Sequence, residues 1–255
     1  MNRLDDKVAI ITGAAGGIGV AAAQLFAAAG AKVLMVDLEA GALETAAATV
    51  EGEVSHFAAD VTDPAQAQAY VAAALERYGA VDVLLANAGI EGGNDPIVDC
   101  AVEDFDRVMA VNVRGVWLGL KYVMAAMQDR GNGGSIVITS STAGVMGLAG
   151  MAPYHTSKHA VIGLMRCAAL EGGKHGIRVN TVNPGPIETR MMRSIENQYR
   201  PGEGEKWKAG AVRSIPLGHY GRPVDVARMM LFLASDDSAH SSGNTYMVDG
   251  GFLAH

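Results

Sequence analysis

The stretch that decides the fold is KVAIITGAAGGIG, residues 7–19. A short apolar run is followed at once by a turn that holds Gly13, Gly16, Gly17 and Gly19. A strand that leads through glycines into a helix brings backbone N–H groups and a helix N-terminus to one point, as a pyrophosphate requires. The spacing is not that of the common GxGxxG fingerprint. By itself the stretch predicts a strand–turn–helix unit and fits either a phosphate site or an ordinary helix entry.

The same alternation of short apolar runs and longer helical segments continues along the chain. Strands are predicted at 7–12, 31–37, 53–60, 81–89, 134–141, 177–185 and 244–251, and helices near 17–29, 40–50, 64–78, 103–129, 153–172 and 223–235. Apolar strands separated by helices form a parallel sheet that is covered on both faces. The chain is therefore predicted to be a doubly wound α/β protein, and no linker, repeat or charge block divides residues 1–255 into more than one domain.

Composition and charge exclude several classes of protein. The net charge is −7 and no basic cluster is present, which argues against a nucleic-acid-binding surface. No apolar run is long enough to span a bilayer, and the N-terminal stretch lacks the features of a signal peptide. Cys100 and Cys167 are too few and too far apart for a disulfide or metal framework, so both are predicted to be buried thiols. We expect a cytoplasmic protein without a membrane or nucleic-acid partner.

Polar residues stand at the ends of the predicted strands, where an open parallel sheet binds its ligands. Asp37 ends the second strand at about the position from which a carboxylate accepts hydrogen bonds from an adenosine ribose. A carboxylate there would repel a 2′-phosphate, which favours NAD(H) over NADP(H); a helix N-cap is the alternative interpretation of Asp37. The other strand ends carry Asp60-Val61, Asn87-Ala88-Gly89, Ser140-Ser141 and Asn183-Pro184-Gly185.

The segment MAPYHTSKHAVIGLM, residues 151–165, sets Tyr154 and Lys158 four residues apart, on one face of a predicted helix. A free phenol has a pKa of about 10, which suits proton transfer at neutral pH poorly. A neighbouring ammonium, together with a cationic nicotinamide, would lower that pKa and make the phenol a proton acceptor. Ser141 ends a strand thirteen residues earlier, and the loop after it would bring the chain back over that strand end. The Tyr–Lys pair is a weak signal by itself, and this neighbourhood makes it a candidate site for proton transfer.

These motifs together resemble the short single-domain branch of the short-chain dehydrogenase/reductase family. The resemblance covers essentially the whole chain and includes TGAAGGIG at 12–19, DV at 60–61, NAG at 87–89, VNVRG at 111–115, ITSSTAG at 138–144, YHTSK at 154–158 and NPGPIET at 183–189. It implies a Rossmann-type sheet of about seven strands in the order 3-2-1-4-5-6-7, an NAD(H) cofactor and a homotetramer. It also implies a secondary alcohol or ketone as the small-molecule substrate.

The resemblance further implies a set of site residues. The catalytic residues would be Asn112, Ser141, Tyr154 and Lys158, with a helix irregularity at Asn112 and a bound water that links Lys158 to solvent. The dinucleotide would contact Gly13, Gly16, Gly17, Ile18, Gly19, Asp37, Leu38, Asp60, Val61, Asn87, Ala88, Gly89, Tyr154, Lys158, Pro184, Gly185, Ile187 and Thr189. Ser140 would be structural. His155 and His159 stand at metal-ligand spacing but have no third ligand, so no metal site is predicted.

The segment 188–220 is long, polar and separate from the strands, and it is predicted to be a mobile substrate lid. Apolar residues in this lid and in the loop after Ser141 predict an apolar or cyclic substrate; they are Val145, Met146, Leu148, Met151, Pro186, Met191 and Met192, with Trp207 as a further candidate.

Two alternatives remain open. A 3-oxoacyl-carrier-protein-type reductase usually takes NADPH, which Asp37 opposes, and enoyl reductases of related fold space Tyr and Lys further apart. A catalytically silent dinucleotide-binding sensor would be expected to lack one of Ser141, Tyr154 and Lys158.

Overall fold

The computed structural model describes residues 3–254. Its strands form one sheet in which all neighbours are parallel, in the order β3-β2-β1-β4-β5-β6-β7. The predicted doubly wound α/β fold and its strand order are confirmed. The strands are β1 Val8–Thr12, β2 Lys32–Asp37, β3 Val54–Ala58, β4 Val83–Ala86, β5 Gly134–Thr139, β6 Ile177–Pro184 and β7 Thr245–Val248.

Helices connect the strands and cover both faces of the sheet. They are α1 Gly17–Ala28, α2 Ala40–Ala47, α3 Pro64–Tyr78, α4 Val102–Met109, α5 Gly115–Arg130, α6 Ala152–Gly173, α7 Arg190–Tyr199, α8 Gly204–Val212 and α9 Pro223–Ala234. A single π-helical turn, Ala110–Arg114, joins α4 to α5. Within residues 3–254, no helix combines the length and the apolar character that crossing a bilayer requires.

Strand β1 shows why the sheet is covered on both sides. Its residues point alternately to opposite faces, as in any strand. Val8 and Ile10 belong to the core beneath α3, α5 and α6, whereas Ala9 and Ile11 belong to the core beneath α1 and α9. All five residues of the strand are buried. A continuous apolar run is therefore needed here, and this is the pattern from which the sequence predicts a central parallel strand.

Helix boundaries follow local signals in the sequence. At the start of α3 the Asp63 carboxylate accepts hydrogen bonds from the N–H groups of Ala65 and Gln66, at 2.7 and 3.0 Å, and Pro64 takes the first helical position. Gly79 ends the helix with a φ of 76°, a left-handed conformation that favours glycine. The expected start and stop of α3 are confirmed.

The segment 188–220, in which the sequence analysis predicts no helix, contains the helices α7 and α8. The expectation that both cysteines are buried is wrong. The cysteines are not buried: Cys167 is exposed and Cys100 is partly exposed. Helix α6 directs Met165 and Ala168 into the core, and Cys167 lies off that face. An apolar neighbourhood in sequence therefore did not mean a buried position in the helix.

Candidate active site

The carboxyl ends of the strands open into one cleft of about 1390 Å³. The turn after β1 and the end of β2 form one end of this cleft, and the start of α6 with helices α7 and α8 forms the other. Every residue predicted to contact a dinucleotide lines the cleft except Gly19. Of the predicted catalytic residues, Ser141, Tyr154 and Lys158 line it and Asn112 does not. The structure therefore brings most of the predicted site to one surface.

The glycine turn leaves room for a ligand because two of its glycines pack against backbone. Gly13 has a φ of +64°, and a Cβ atom there would lie 2.8 Å from the Cα atom of Ala88. A Cβ atom on Gly19 would overlap the carbonyl oxygen of Gly13. Gly19 therefore closes the turn from behind and does not line the cleft, and its contact with the dinucleotide stays a prediction that this packing does not favour. Gly17 faces the cleft, and its added Cβ would meet only side-chain atoms at 3.5 Å or beyond.

The two glycines give a matched test of this difference. Gly19→Ala is expected to lower the free energy of unfolding by about 1–3 kcal/mol, because the added methyl group overlaps backbone that cannot move away. Gly17→Ala should leave the unfolding free energy unchanged or slightly raised, since it has space and lies at the first position of α1. Denaturant unfolding of both variants without cofactor measures this. Equal loss in the two variants would contradict the packing described for Gly19.

Asp37 lies where the sequence places a ribose acceptor. Its Oδ2 atom accepts a hydrogen bond from the N–H of Ala15 at 2.9 Å, and its Oδ1 atom accepts one from the N–H of Leu38 at 2.8 Å. Two bonds leave further lone pairs free on the carboxylate. The N-cap of α2 is Glu39, so the alternative interpretation of Asp37 as a helix cap is wrong. The carboxylate ties the glycine turn to β2 and still faces the cleft.

Asn87 holds three strand ends together. Its Nδ2 atom donates to the carbonyls of Thr12 and Gly13, at 3.2 and 3.1 Å, and its Oδ1 atom accepts from the hydroxyl of Thr139 at 3.1 Å. The amide side chain is thus occupied by the protein. What Asn87 presents to a ligand is mainly backbone, together with Ala88 and Gly89, which also line the cleft.

The other strand ends contribute mostly backbone and buried surface. Asp60 accepts a hydrogen bond from the N–H of Thr62 at 2.8 Å, and Val61 is buried beside it. Gly185 packs so closely on Asp249 that an added Cβ atom would lie 2.9 Å from its Cα atom. The hydroxyl of Thr189 accepts a hydrogen bond from the N–H of Met192 at 3.2 Å and caps α7. These residues shape the cleft near Pro184 and Ile187.

Tyr154, Lys158 and Ser141 converge at the other end of the cleft. The Nζ atom of Lys158 lies 5.5 Å from the ring centre of Tyr154 and donates to the carbonyl of Thr139 at 2.9 Å. Ser141 caps a short 3-10 turn, where its hydroxyl accepts from the N–H of Ala143 at 3.1 Å. Ser140 is structural, as predicted, because its hydroxyl donates to the carbonyl of Lys158 at 3.0 Å. This bond fixes the end of β5 against α6.

The electrostatics of the pair are dominated by burial. Burial raises the pKa of the Tyr154 phenol to about 12, a hydrogen bond with Ser141 acts to lower it, and the charge of Glu91 raises it further. Burial also lowers the pKa of the Lys158 ammonium to about 8. The protein alone thus does not make the phenol acidic. The sequence analysis expects two positive charges to lower the pKa of Tyr154, that of Lys158 and that of an oxidised nicotinamide. The charge of Lys158 does not outweigh burial, so a lowered pKa would depend on the nicotinamide.

Asn112 lies behind the cleft, on the π-helical turn 110–114, and is 1% exposed. The irregularity agrees with what the family resemblance implies. Its Oδ1 atom accepts from the N–H of Ile90 at 2.8 Å, and its Nδ2 atom donates to the carbonyl of Ile90 at 2.9 Å and to the hydroxyl of Ser157 at 3.0 Å. Ser157 in turn donates to the carbonyl of Tyr154 at 2.7 Å. Asn112 therefore holds Ile90 and α6 in position, and its catalytic role stays a prediction.

The segment 188–220 covers the cleft beside Tyr154. The side chain of Gln198 donates to the carbonyl of Gly92 at 3.2 Å, and the phenol of Tyr199 donates to the carbonyl of Ala149 at 3.0 Å. Trp207 stacks on Tyr199 with ring centres 5.4 Å apart. The predicted substrate-facing residues Met146, Leu148, Met151, Pro186, Met191, Met192 and Trp207 all line the cleft. Val145 points into solvent instead, 46% exposed, because the turn after Ser141 directs it away.

Two cleft residues escape the sequence analysis. Thr139 holds Lys158 through its backbone carbonyl, an atom for which the side chain gives no signal. Glu91 follows the NAGI segment and lines the cleft close to Tyr154. A carboxylate after an apolar residue in a loop was not distinguishable from an ordinary surface residue.

Known proteins and a family model are similar to this chain over nearly its whole length. A family model described as "Enoyl-(Acyl carrier protein) reductase" matches residues 13–253. Levodione reductase of Leifsonia aquatica is 38% identical over 98% of this chain and 95% of its own. Galactitol 2-dehydrogenase of Agrobacterium fabrum is 39% identical over 98% of both chains. The crystal structure of levodione reductase superposes with a TM-score of 0.97, covering 99% of this chain and 100% of the other at 38% identity.

The fold and the cleft define an oxidoreductase of the Rossmann type, built to bind a dinucleotide at the carboxyl ends of its strands. The chain belongs to the short-chain dehydrogenase/reductase family. Two of its relatives are named as a reductase of levodione and a dehydrogenase of galactitol, and the family implies a nicotinamide dinucleotide as cofactor, either NAD or NADP.

Proposed function

We propose that this protein is an NAD(H)-dependent dehydrogenase that interconverts a secondary alcohol and a ketone, with Tyr154 as the acid/base. The observation that carries the proposal is the meeting of Tyr154, Lys158 and Ser141 at one end of the cleft, opposite the glycine turn and Asp37. A bound dinucleotide fits this cleft because Gly16 and Gly17 line it without side chains at the start of α1, where a pyrophosphate can approach the backbone.

In the proposed mechanism each residue has a separate task. The hydroxyl of Ser141 donates a hydrogen bond to the carbinol or ketone oxygen and fixes its position. Tyr154 takes the carbinol proton as a phenolate in oxidation and returns it as a phenol in reduction. The ammonium of Lys158, held by the carbonyl of Thr139, holds the nicotinamide ribose and supplies positive charge near the phenol. The nicotinamide, when bound, accepts or gives the hydride. Asn112 keeps α6 and Ile90 in place behind them.

The preference for NAD(H) is supported by the charges at the adenosine end of the cleft. Asp37, Glu39 and Asp60 line this end, and the residues between Gly13 and Gly19 include no lysine or arginine. A 2′-phosphate would meet carboxylates without a compensating cation, which costs binding energy. Leu38, which is 60% exposed, also lines this end and offers apolar surface for an adenine ring.

Asp37→Asn tests the cofactor preference. The asparagine keeps an acceptor of similar shape but removes the negative charge, so kcat/KM with NADP(H) should rise about tenfold relative to that with NAD(H). Initial rates with both cofactors measure the ratio. Glu44→Gln, which removes an exposed carboxylate on α2 outside the cleft, serves as the control and should leave the ratio unchanged. A wild-type enzyme that used both cofactors equally well would contradict the role of Asp37.

The substrate is proposed to be a largely apolar or cyclic compound. The wall next to Tyr154 consists largely of methionine, leucine and tryptophan side chains, and the segment 188–220 acts as a lid over it within a single catalytic domain. The two relatives named above carry different substrates in their names at similar identity, so overall identity does not select a substrate. The four-residue spacing of Tyr154 and Lys158 supports carbinol chemistry over reduction of an enoyl group.

The experiment that tests the proposal is an initial-rate comparison across cyclic and aryl secondary alcohols with NAD and with NADP. Turnover with NAD and at least one cyclic carbinol is expected. A strong preference for an acyl carrier or a polyol phosphate would overturn the substrate class. Tight NAD binding without turnover of any carbinol would support the sensor interpretation instead.

We also propose that the protein is cytoplasmic and assembles as a homotetramer. Exposed apolar side chains on the outer helices, among them Phe105, Trp117 and Leu170, support an assembly. The apolar tail 249–255 is a second candidate contact between subunits, and its last residue lies outside the described part of the chain. Light scattering of the purified protein measures the number of subunits.

A further inference from the structure

Glu91 is a carboxylate in the substrate end of the cleft for which the proposed mechanism has no task. It lines the cleft together with Tyr154, and its charge acts on the Tyr154 phenol. Among residues 3–254, neither a hydrogen bond nor an ion pair joins any group to its carboxylate. The side chain is half-buried. Its charge is therefore available to a ligand that occupies this end of the cleft.

The loop that carries Glu91 is held on both sides of it. Before Glu91, the N–H and the carbonyl of Ile90 are both bonded to the side chain of Asn112. After it, the carbonyl of Gly92 accepts a hydrogen bond from Gln198 at 3.2 Å, and the N–H of Gly93 donates to the carboxylate of Asp104 at 2.8 Å. A residue between such fixed points presents its side chain in a preorganised position. One of these contacts comes from the lid, so lid closure and the position of Glu91 are linked.

The surroundings of Glu91 determine what kind of group it would bind. Apolar side chains such as Met146 and Met192 line the same end of the cleft, and the cations Arg200 and Lys206, which also line it, pair with Glu203. A substrate that fills this space removes water from the carboxylate. A carboxylate that is desolvated without a hydrogen-bond donor costs much more binding free energy than a neutral group in the same place. The favoured substrate must therefore bring a donor of its own to this carboxylate.

We propose that Glu91 accepts a hydrogen bond from a second hydroxyl group of the substrate, so that the preferred substrate is a diol or a hydroxy ketone. This inference rests on the proposed function, because Tyr154 and Ser141 act on the other oxygen. An ammonium group could also pair with Glu91. A hydroxyl fits better, since an ammonium would have to lose its hydration against an apolar wall and lie near the cation of Lys158.

The test compares cyclohexanol with the 1,2-, 1,3- and 1,4-cyclohexanediols in Glu91→Gln, Glu91→Ala and the wild type. The readout is the ratio of kcat/KM for the best diol to kcat/KM for cyclohexanol. We expect this ratio to be about ten or more in the wild type, to fall several-fold in Glu91→Gln, and to fall about ten- to a hundredfold in Glu91→Ala. The glutamine keeps a neutral acceptor, which explains the smaller loss.

Matched controls separate this role from a structural one. Glu171→Gln removes an exposed carboxylate at the far end of α6 and should leave the ratio unchanged. The dissociation constant for NAD, measured by fluorescence titration, shows whether the Glu91 variants keep a folded cofactor site. A merely structural role for Glu91 would change the rates for cyclohexanol and the diols by the same factor, and that result overturns the inference.

The remaining outcomes are distinguishable from a failure of the proposed function. Turnover of cyclohexanol and the diols with equal efficiency in the wild type overturns the inference and leaves the proposed function standing. A preference for 4-aminocyclohexanol over every diol overturns the inference, because it shows that Glu91 binds an ammonium group and not a hydroxyl group. Turnover of no carbinol with either cofactor overturns both the inference and the proposed function.

Discussion

Tyr154→Phe is expected to lower kcat for carbinol oxidation by about 10²- to 10⁴-fold, the range that a positioned general acid or base contributes. The variant keeps the ring and loses only the hydroxyl that exchanges the proton. The ring should therefore pack at the start of α6 as in the wild type, and the substitution adds no polar atom that would be buried without a partner. The dissociation constant for NAD should therefore change little. Single-turnover and steady-state rates together with NAD titration measure both quantities.

A second phenol provides the control for this variant. Tyr122→Phe removes a hydroxyl from α5, outside the cleft, and should leave kcat unchanged. If the correctly folded Tyr154→Phe enzyme, still loaded with NAD, turned over at the wild-type rate, Tyr154 would not be the acid/base. The proton would then have to pass through another titratable group that lines the cleft, such as His155 or Glu91.

Lys158→Met is expected to act in opposite directions on turnover and on stability. Turnover should fall at least about 10²-fold, because the ammonium supplies charge and positioning next to the phenol. The free energy of unfolding at pH 7 should rise by about 2 kcal/mol. Burial lowers the pKa of Lys158 from 10.5 to about 8, which corresponds to about 3 kcal/mol of destabilisation, and the lost hydrogen bond to Thr139 offsets about 1 kcal/mol of this.

The pH dependence of this gain has a defined direction. Below pH 8, Lys158 is protonated in both the folded and the unfolded chain, and the full cost of burying its charge is present. Between pH 8 and 10.5 the unfolded chain binds more protons than the folded one, so wild-type stability rises with pH. The difference between wild type and Lys158→Met should therefore shrink across this window. The raised pKa of Tyr154 has the opposite effect, and only above its ordinary value of 10.

Denaturant unfolding between pH 7 and 10 measures the effect, with Lys174→Met as the control. Lys174 is exposed after the end of α6, so its replacement should shift stability by less than about 0.5 kcal/mol at every pH. A Lys158→Met variant that was less stable than the wild type at pH 7, or a difference that did not vary with pH, would show that the ammonium is not destabilising. In the expected case, the site retains a buried charge for its chemistry at the expense of stability.

The segment 188–220, which is proposed to be a lid, contacts both sides of the substrate end of the cleft. Gln198 and Tyr199 of α7 bond to backbone carbonyls on either side of the substrate end of the cleft, near Glu91 and Met151. Within the segment, Arg193 pairs with Glu188 at 2.8 Å and with the buried Glu196 at 2.9 Å. These contacts give the lid its own internal structure, which the polar composition of residues 188–220 did not reveal.

The sequence predicted the elements of the site better than their surroundings. Ser141, Tyr154 and Lys158 were assigned from the resemblance of their motifs to the short-chain dehydrogenase/reductase family, and the structure places all three in one cleft. Asn112 and Gly19 were assigned to the same surface, but both lie behind it. A motif records that a residue is needed and does not record whether it contacts the ligand or supports a residue that does. Ligand contact and structural support are separated only by the tertiary contacts of the side chain, such as the hydrogen bonds of the Asn112 amide to the backbone of Ile90.

The sequence by itself determined the doubly wound sheet, because apolar runs and helical segments alternate in it with clear turn signals between them. It also determined which polar residues stand at the carboxyl ends of the strands. Tertiary structure alone decided the burial of Lys158, the unpaired carboxylate of Glu91 and the exposure of Cys167. The physical reason is that periodicity and turn chemistry are local, whereas burial and charge pairing depend on segments that are distant in the chain.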